Sequence, residues 1–373
     1  MKKIIFLSLI LLLVVSVFIL QGCSSFGDAP TGSHLETISK SKNYSKIQDR
    51  FVNRRQDEID KSHLNRSYWQ MSKKFFFGGG KSRKPKDKLP ELTPIFKDFV
   101  GLHDQVKFIW FGHSTILVNL HGKLILFDPV FSKYASPLMF LNKRFQPAVI
   151  KLEELPPIDY IVISHDHYDH LDLEAMEFFK EKKQTKFITP LGVSSYLHGW
   201  GIEKERTTEL DWWQEIEFDQ IVFTCTPAQH FSGRSGIGKN PTLWASWALK
   251  TASQNLYFSG DTGYDVHFKQ IGDKLGPFDA VFMENGQYNE MWKYVHIHPY
   301  QTPKAFEELK GKVLVPIHWG AYDLSLHNWY DPIVAIKAEA DKHKINLVAP
   351  IMGETVIIGQ EHKLNEWWIP LIK

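Results

Sequence analysis

The segment Ile161-Val162-Ile163-Ser164-His165-Asp166-His167-Tyr168-Asp169-His170-Leu171-Asp172 constrains this 373-residue chain more than any other. An apolar run stops, and His165, His167, Asp169 and His170 follow within six positions. Side-chain direction repeats every two residues in extended backbone, so His165 and His167 point the same way from a strand end. Asp169 and His170 belong to the turn that follows and reach a second point a few Å away. One loop can therefore grip two metal ions. Cysteine cannot share that work. Only Cys23 and Cys225 occur, which leaves no disulfide framework and no thiolate zinc knuckle. Imidazole and carboxylate ligands favour zinc, iron or manganese. Cys225, in mid-strand, reads as a small core residue.

The chain changes texture twice. Lys2 and Lys3 precede an uncharged apolar run, Ile4 to Leu20, which ends in Gln21-Gly22-Cys23. A basic start, an apolar stretch and small residues at a cleavage point make residues 1–22 an export signal. Leu20-Gln21-Gly22-Cys23 resembles a bacterial lipobox, which implies a lipidated Cys23 and an exported, membrane-anchored lipoprotein of a cell envelope. An uncleaved anchor or an ordinary signal stays open, because the run approaches the length of a membrane span. Residues 23–99 form a basic extension: 24–99 carry 16 Lys/Arg against 9 Asp/Glu. Tyr68-Trp69 and Phe75-Phe76-Phe77 make an aromatic knot there, followed by Gly78-Gly79-Gly80 and loop. This arm reads as a solvated linker or as a segment lying on anionic lipid, and it packs against a domain without being one. Residues 100–373 hold 26 Lys/Arg against 33 Asp/Glu, and that acidic balance speaks against nucleic acid as a partner.

From about Val100 onward, β-rich runs occupy 106–111, 115–120, 123–127, 159–163, 221–225, 255–259, 279–283 and 313–317. Helical patterns fit 172–183, 193–199, 302–310 and 331–343. Strands come first in meanders and later alternate with helices, which predicts layered sheets covered by helices. Trp212, Trp213, Trp244 and Trp247 read as core. His230, Asp261 and His318 each lie just past an apolar run, where a sheet edge can aim them into one cleft.

At its His-rich segment the sequence resembles the metallo-β-lactamase fold superfamily. Further segments match in that superfamily's order: Phe111-Gly112-His113-Ser114-Thr115, Phe127-Asp128-Pro129, Thr226-Pro227-Ala228-Gln229-His230, Gly260-Asp261-Thr262-Gly263 and Pro316-Ile317-His318-Trp319-Gly320. His230-Phe231-Ser232-Gly233-Arg234 and Thr242-Leu243-Trp244-Ala245-Ser246-Trp247 are similar to the N-acylphosphatidylethanolamine-hydrolysing phospholipase D branch. The resemblance covers roughly 100–360. It implies an αββα sandwich, two mixed sheets flanked by helices, with two zinc ions (iron or manganese as alternatives). His165, His167 and His230 would hold one ion, Asp169, His170 and His318 the other, and Asp261 would bridge them. It implies hydrolysis by a metal-bridging hydroxide, with Asp169, Asp261 and His296 catalytic and a lipid phosphodiester or another small molecule as substrate. A lactonase of the same fold and a non-catalytic, lipid-anchored binding protein remain the alternatives. His113 and Asp128 read as residues that orient ligands. His296, Glu284 and His327 are expected on the substrate side, with His298 sharing a face with His296. Met283-Glu284-Asn285-Gly286-Gln287-Tyr288 departs from the branch, and a Glu284 carboxylate in the cleft would repel an anionic diester.

If Cys23 is lipidated, Cys23→Ser should leave an unprocessed precursor that takes up no labelled palmitate. Labelling unchanged by the substitution would reject the lipobox reading in favour of a plain anchor.

Overall fold

The computed structural model describes residues 24–372, apart from 65–68, 70–72, 75–77, 102–104, 139–140 and 236–239. The export signal, Cys23, Tyr68 and Phe75 to Phe77 lie outside the described residues. Among the described residues, no helix is long and apolar enough to cross a membrane.

The extension supplies a short hairpin, β1 (Tyr44–Ser45) and β2 (Arg50–Phe51), between helices Gly32–Ile38 and Gln56–Leu64. The first large sheet is built from β3 (Lys107–Trp110), β4 (Ile116–Leu120), β5 (Lys123–Phe127), β6 (Tyr160–Val162), β7 (Lys186–Pro190) and β8 (Thr207–Leu210). The second contains β9 (Glu215–Phe218), β10 (Ile221–Thr226), β11 (Ser246–Lys250), β12 (Asn255–Phe258), β13 (Ala280–Glu284) and β14 (Leu314–Ile317). β15 (Thr355–Ile357) then returns to pair with β3 at the edge of the first sheet. The strand orders are β15-β3-β4-β5-β6-β7-β8 and β14-β13-β12-β11-β10-β9. Each sheet is antiparallel at one side and parallel at the other.

Alternation along the strands decides the layers. In β3, β4 and β5, Phe108, Trp110, Ile116, Val118, Ile125 and Phe127 belong to the core between the sheets. Their neighbours Ile109, Leu117, Leu124 and Leu126 join the opposite core. There they meet Ala175, Met176 and Phe179 of helix Leu173–Lys180 and Tyr196 and Leu197 of helix Ser194–Gly199. Aromatic rings close the inter-sheet layer: Phe108 on Phe282 at 5.1 Å, Phe127 on Phe258 at 4.6 Å and Tyr160 on Phe223 at 5.2 Å. Truncating one of them, as in Phe282→Ala, should cost about 3–5 kcal/mol. Helices His267–Lys274, Thr302–Glu308 and Asp331–His343 bury Phe268, Ile271, Phe306, Ile333 and Ile336 with the second sheet. The result is an αββα sandwich.

The extension is docked as well. Ile38, Tyr44 and Phe51 pack with Ala228, Leu243 and Trp244. Arg54 grips Asp265, with Nε 2.7 Å from Oδ2. His34 bridges Ser195 Oγ (2.7 Å) and Glu209 Oε2 (2.8 Å), and the hydrogen bond to Glu209 raises its pKa above the ordinary imidazole value of 6.5. A raised folded pKa means that stabilisation is full below the unfolded value and fades as pH rises through the folded one. The melting difference between wild type and His34→Gln should therefore be larger at about pH 5.5 than at about pH 9. An equal difference at both would show that His34 is held neutral.

Candidate metal centre

Six chain segments leave the C-terminal ends of β5, β6, β10, β12, β13 and β14 at one end of the sandwich, and the predicted residues sit on five of them. Cross-sheet bonds hold these segments together. Trp247 Nε1 donates to Ile163 O and Ala245 N to Ser164 O, tying the end of β6 to β11. The His113 and His318 segments exchange backbone bonds at 2.9 Å, joining the β3–β4 turn to the end of β14. The convergence forces unusual backbone: His113, Asp128 and His318 have φ of 52°, 39° and 66°. Such left-handed non-glycine residues persist only where their surroundings over-determine them. Gly260, with φ 53°, admits no side chain at all, since a Cβ there would lie 2.7 Å from Ser164 Cβ.

Among the described residues, donors gather in three overlapping groups, the third being Asp261, Glu284, His296 and His318. In the first, His165 Nε2 and His230 Nε2 lie 2.9 and 3.2 Å from His167 Nδ1, and Asp261 Oδ2 lies 3.8 and 3.6 Å from those two Nε2 atoms. In the second, His170 Nε2 is 3.2 Å from Asp261 Oδ2 and 3.6 Å from Asp169 Oδ2, while His318 Nδ1 is 3.0 Å from Asp261 Oδ1. His113 also belongs to this group, with Nε2 2.9 Å from Asp169 Oδ2. All seven residues expected as ligands are thus brought together, with Asp261 between the groups.

Outer partners decide which ring nitrogens face inward. Asp128 Oδ1 accepts from Ser164 N (2.7 Å), and its Oδ2 accepts from Ser164 Oγ (2.6 Å) and His170 Nδ1 (2.7 Å). Ser164 Oγ, its own proton given to Asp128, accepts from His165 Nδ1 at 2.9 Å. His230 Nδ1 donates to Val295 O at 2.9 Å. In His165 and His230 the proton sits on Nδ1 and the Nε2 lone pair turns inward, as metal ligation requires, and the Asp128 contact at Nδ1 of His170 likewise turns its Nε2 toward the centre. Burial pushes His165, His230 and His318 well below the ordinary imidazole range and His167 down to about 4, so these rings are neutral. Burial also works against a charge on His170, but Asp261, Asp169 and Asp128 overcome it and hold that ring well above the ordinary range. His170 Nε2 and Asp261 Oδ1 are buried without a hydrogen-bond partner. Converging imidazole lone pairs, buried carboxylates and these two orphaned atoms fit cations of the zinc type.

The residues expected on the substrate side divide. His296 joins the centre, its ring 5.0 Å from His230 and stacked on His318 at 5.3 Å. Glu284 reaches the edge of the centre, within 4.8 Å of donor atoms of Asp261, His296 and His318, but presents no free carboxylate to the cleft. It is fully buried behind His296, its carboxylate taken up by Thr262 N (2.8 Å), Ile297 N (2.9 Å) and His296 Nδ1 (2.7 Å). His327 is likewise not a cleft residue: Gln287 N donates to its Nε2 and its Nδ1 donates to Asn328 O, both at 2.8 Å, so both nitrogens are spent on loop structure. His298 packs between Tyr288 and Tyr300.

Other residues carry more of the site than the sequence disclosed. Asp166 points away from its flanking histidines and accepts from Gly233 N (2.8 Å), Tyr196 OH and Thr242 Oγ1 (both 3.1 Å). Arg234 donates to Asp166 O (2.7 Å) and Leu171 O (2.8 Å) and lies over the Tyr168 ring, stapling the whole histidine loop. Asn53 Nδ2, from the extension, donates to His230 O at 2.7 Å. Period-two alternation marks Asp166 as facing away from His165 and His167, but nothing local in the sequence marks Asn53.

Asp128→Asn keeps the size of the group that orients His170 and removes its charge. Zinc affinity, measured by chelator competition, should fall about 10–100-fold. An unchanged affinity would mean that Asp128 serves only the backbone of Ser164.

A model of the beta-lactamase superfamily domain matches residues 123–319. An uncharacterized protein of Mycobacterium tuberculosis is 35% identical over 314 residues, covering 83% of this chain and 82% of that protein. The N-acyl-phosphatidylethanolamine-hydrolyzing phospholipase D 1 of Caenorhabditis elegans is 38% identical over 263 residues, covering 66% of this chain and 74% of that enzyme. Among solved structures, Igni18, a metallo hydrolase from Ignicoccus hospitalis, superposes with a TM-score of 0.53 at 21% identity, covering 69% of this chain and all (100%) of that one. With fold, donor clusters and relatives in agreement, the chain belongs to the beta-lactamase superfamily of metallo-hydrolases, in the branch of the N-acyl-phosphatidylethanolamine-hydrolyzing phospholipases D.

Proposed function

We propose that this metallo-hydrolase binds two zinc ions and cleaves a phosphodiester of the N-acylphosphatidylethanolamine kind, from a lipid-anchored position in a bacterial envelope. The observation that carries the reading is the pair of donor groups meeting at Asp261 beside His296. His165, His167 and His230 would hold one ion and Asp169, His170 and His318 the other, with Asp261 between them. Ions held there would supply Lewis-acid polarisation of the phosphoryl group and a water acidified towards neutrality.

The chain's own groups do the rest. His113 Nε2 steadies Asp169 through its 2.9 Å contact with Oδ2. Glu284 accepts the Nδ1–H of His296 in a 2.7 Å hydrogen bond, which leaves the Nε2 lone pair on the opposite edge of the ring to accept a proton from the attacking water and pass it to the departing alkoxide. Because Glu284 is spent in this way, it sets no open negative charge against an anionic diester, and the objection raised by its sequence position falls. Phe231, 42% exposed, lies against the His167 and His230 rings at 4.5 and 4.6 Å and offers an acyl chain an apolar contact beside the reacting centre.

Metal-reconstituted full-length protein should contain near two equivalents of zinc and release phosphatidic acid from N-acylphosphatidylethanolamine. In ¹⁸O-labelled water, one labelled oxygen should enter the phosphoryl product. Glu284→Gln should lower kcat by on the order of tenfold or more with little change in KM, since it turns an amide toward the His296 proton donor. Lactones turned over faster than any diester would overturn the substrate, and metallated protein inert to both would return the site to a binding role.

A further inference from the structure

The loop of His230 is held differently from those of the other expected ligands. His165 and His170 come just after β6, and Asp128 at the end of β5 holds both, the first through Ser164. His318 follows β14 at once, its amide on His113 O at 2.9 Å and its ring 3.1 Å from Ser114 Oγ. His230 instead lies beyond the end of β10, within the long connection from Thr226 to Ser246. Val295 O turns its ring by accepting from Nδ1. Its buried carbonyl lies outside the strand ladders, and a donor comes from the extension, Asn53 Nδ2 at 2.7 Å. A buried carbonyl without a donor is costly, so this bond ties the backbone of the loop to residue 53.

The extension is built to deliver that donor. Val52 N donates to Asn43 O at 3.0 Å, which carries the β1–β2 pairing one residue past Phe51, so Phe51 and Asn53 face the same side. Phe51 packs with Ala228 and Trp244 and exchanges 3.1 Å bonds with Asn240, whose Oδ1 accepts from Ser232 N. Asn53, 5% exposed, then meets His230. Its orientation is locked, because Gln56 Oε1 accepts from both Asn53 N (3.1 Å) and Asn53 Nδ2 (3.2 Å), and Gln56 Nε2 donates to Asp60 Oδ1. Both hydrogens of the Asn53 amide are thereby spent, one at the entry to its own helix and one on His230. Arg55 lies over the Tyr294 ring at 4.8 Å, next to Val295, so the extension also reaches the segment that turns the His230 ring.

We propose that Asn53 is a positioning residue of the metal centre. Through the His230 carbonyl it fixes where that imidazole presents Nε2 to the ion shared with His165 and His167. The extension thereby sets the hold on one metal position, while Asp128, His113 and Ser114 keep the other within the domain. An outer hydrogen-bond partner restrains a ligand against turning away, and its loss commonly costs about 10–100-fold in metal affinity. The inference rests on the two-ion reading of the site, but it is read in binding and not in turnover.

Zinc is titrated into the metal-free full chain against a chromophoric chelator, with the melting temperature followed in parallel. Asn53→Leu keeps the size of the side chain and withdraws the donor. It should weaken one of the two zinc equivalents by about 10–100-fold and leave the other at its wild-type affinity. Phe51→Leu loosens the same hairpin without touching a ligand, so it should lower the melting temperature and leave both zinc affinities unchanged. In a His230→Ala chain, which has lost the ligand in question, Asn53→Leu should change zinc binding no further. In a His318→Ala chain it should show its full effect. If Asn53→Leu does not fold, Asn53→Ser, a smaller change that also withdraws the amide, carries the same comparison. Unchanged affinities, equal weakening of both equivalents, or the same weakening from Phe51→Leu would overturn the proposal. A wild type that takes up a single equivalent overturns the two-ion reading instead, and Asn53 is then judged on whether its loss weakens that one ion.

Discussion

The Asp128 carboxylate is the contact on which the rest of the centre depends. It stands where β5 ends and faces the end of the parallel strand β6, and its two oxygens take the amide of Ser164, the hydroxyl of Ser164 and Nδ1 of His170. One buried anion thus sets the exit angle of the histidine loop, the tautomer of His170 and, through Ser164, the tautomer of His165. Hydrogen bonds to a carboxylate in a dry interior are strong, and each of these donors would be costly to leave unpaired. The strained backbone of Asp128 itself is affordable because three donors hold it.

The same logic runs through the rest of the centre. Asp128, Asp261 and Glu284 are buried, and their partners are imidazoles, hydroxyls and backbone amides. Buried carboxylates of this kind persist only when hydrogen-bonded or when coordinating a cation, and burial holds the Glu284 carboxyl well above the usual range. Burial pushes Asp261 up to about 7 against the opposing pull of His170. Carboxylates, orphaned atoms and tautomers all suit a cation at this point.

The extension is part of this construction. Asn53, Arg54 and Arg55 touch three different loops of the centre: His230 O, Asp265 after the Gly-Asp-Thr-Gly turn, and the Tyr294 ring. A segment that reads as a basic arm therefore supports the site from outside, and its charge is spent in part on specific partners and not on solvent.

The sequence by itself determined the periodic elements and picked out the His and Asp residues that converge at one end of the sandwich. Long apolar runs ending in His or Asp carried both signals locally, so β3 to β6, β10, β12 to β14 and the clustered donor residues were legible. β9 was not, because its Glu-Ile-Glu-Phe pattern is that of a half-solvated edge, nor was β8, another polar edge strand. β11 was hidden within a tryptophan-bearing motif and gains its strand character from the partners on both sides. The tertiary structure alone decided what each polar group faces. Glu284 looked like a cleft carboxylate from its neighbours in sequence, yet the β13 register turns it inward to His296, and His327 spends both nitrogens on its own loop. Asn53 lies 177 residues from the histidine whose carbonyl it holds. Ligand identity follows from residue type and spacing. The direction of a hydrogen bond follows only from which loops the folded sheets bring within 3 Å of one another.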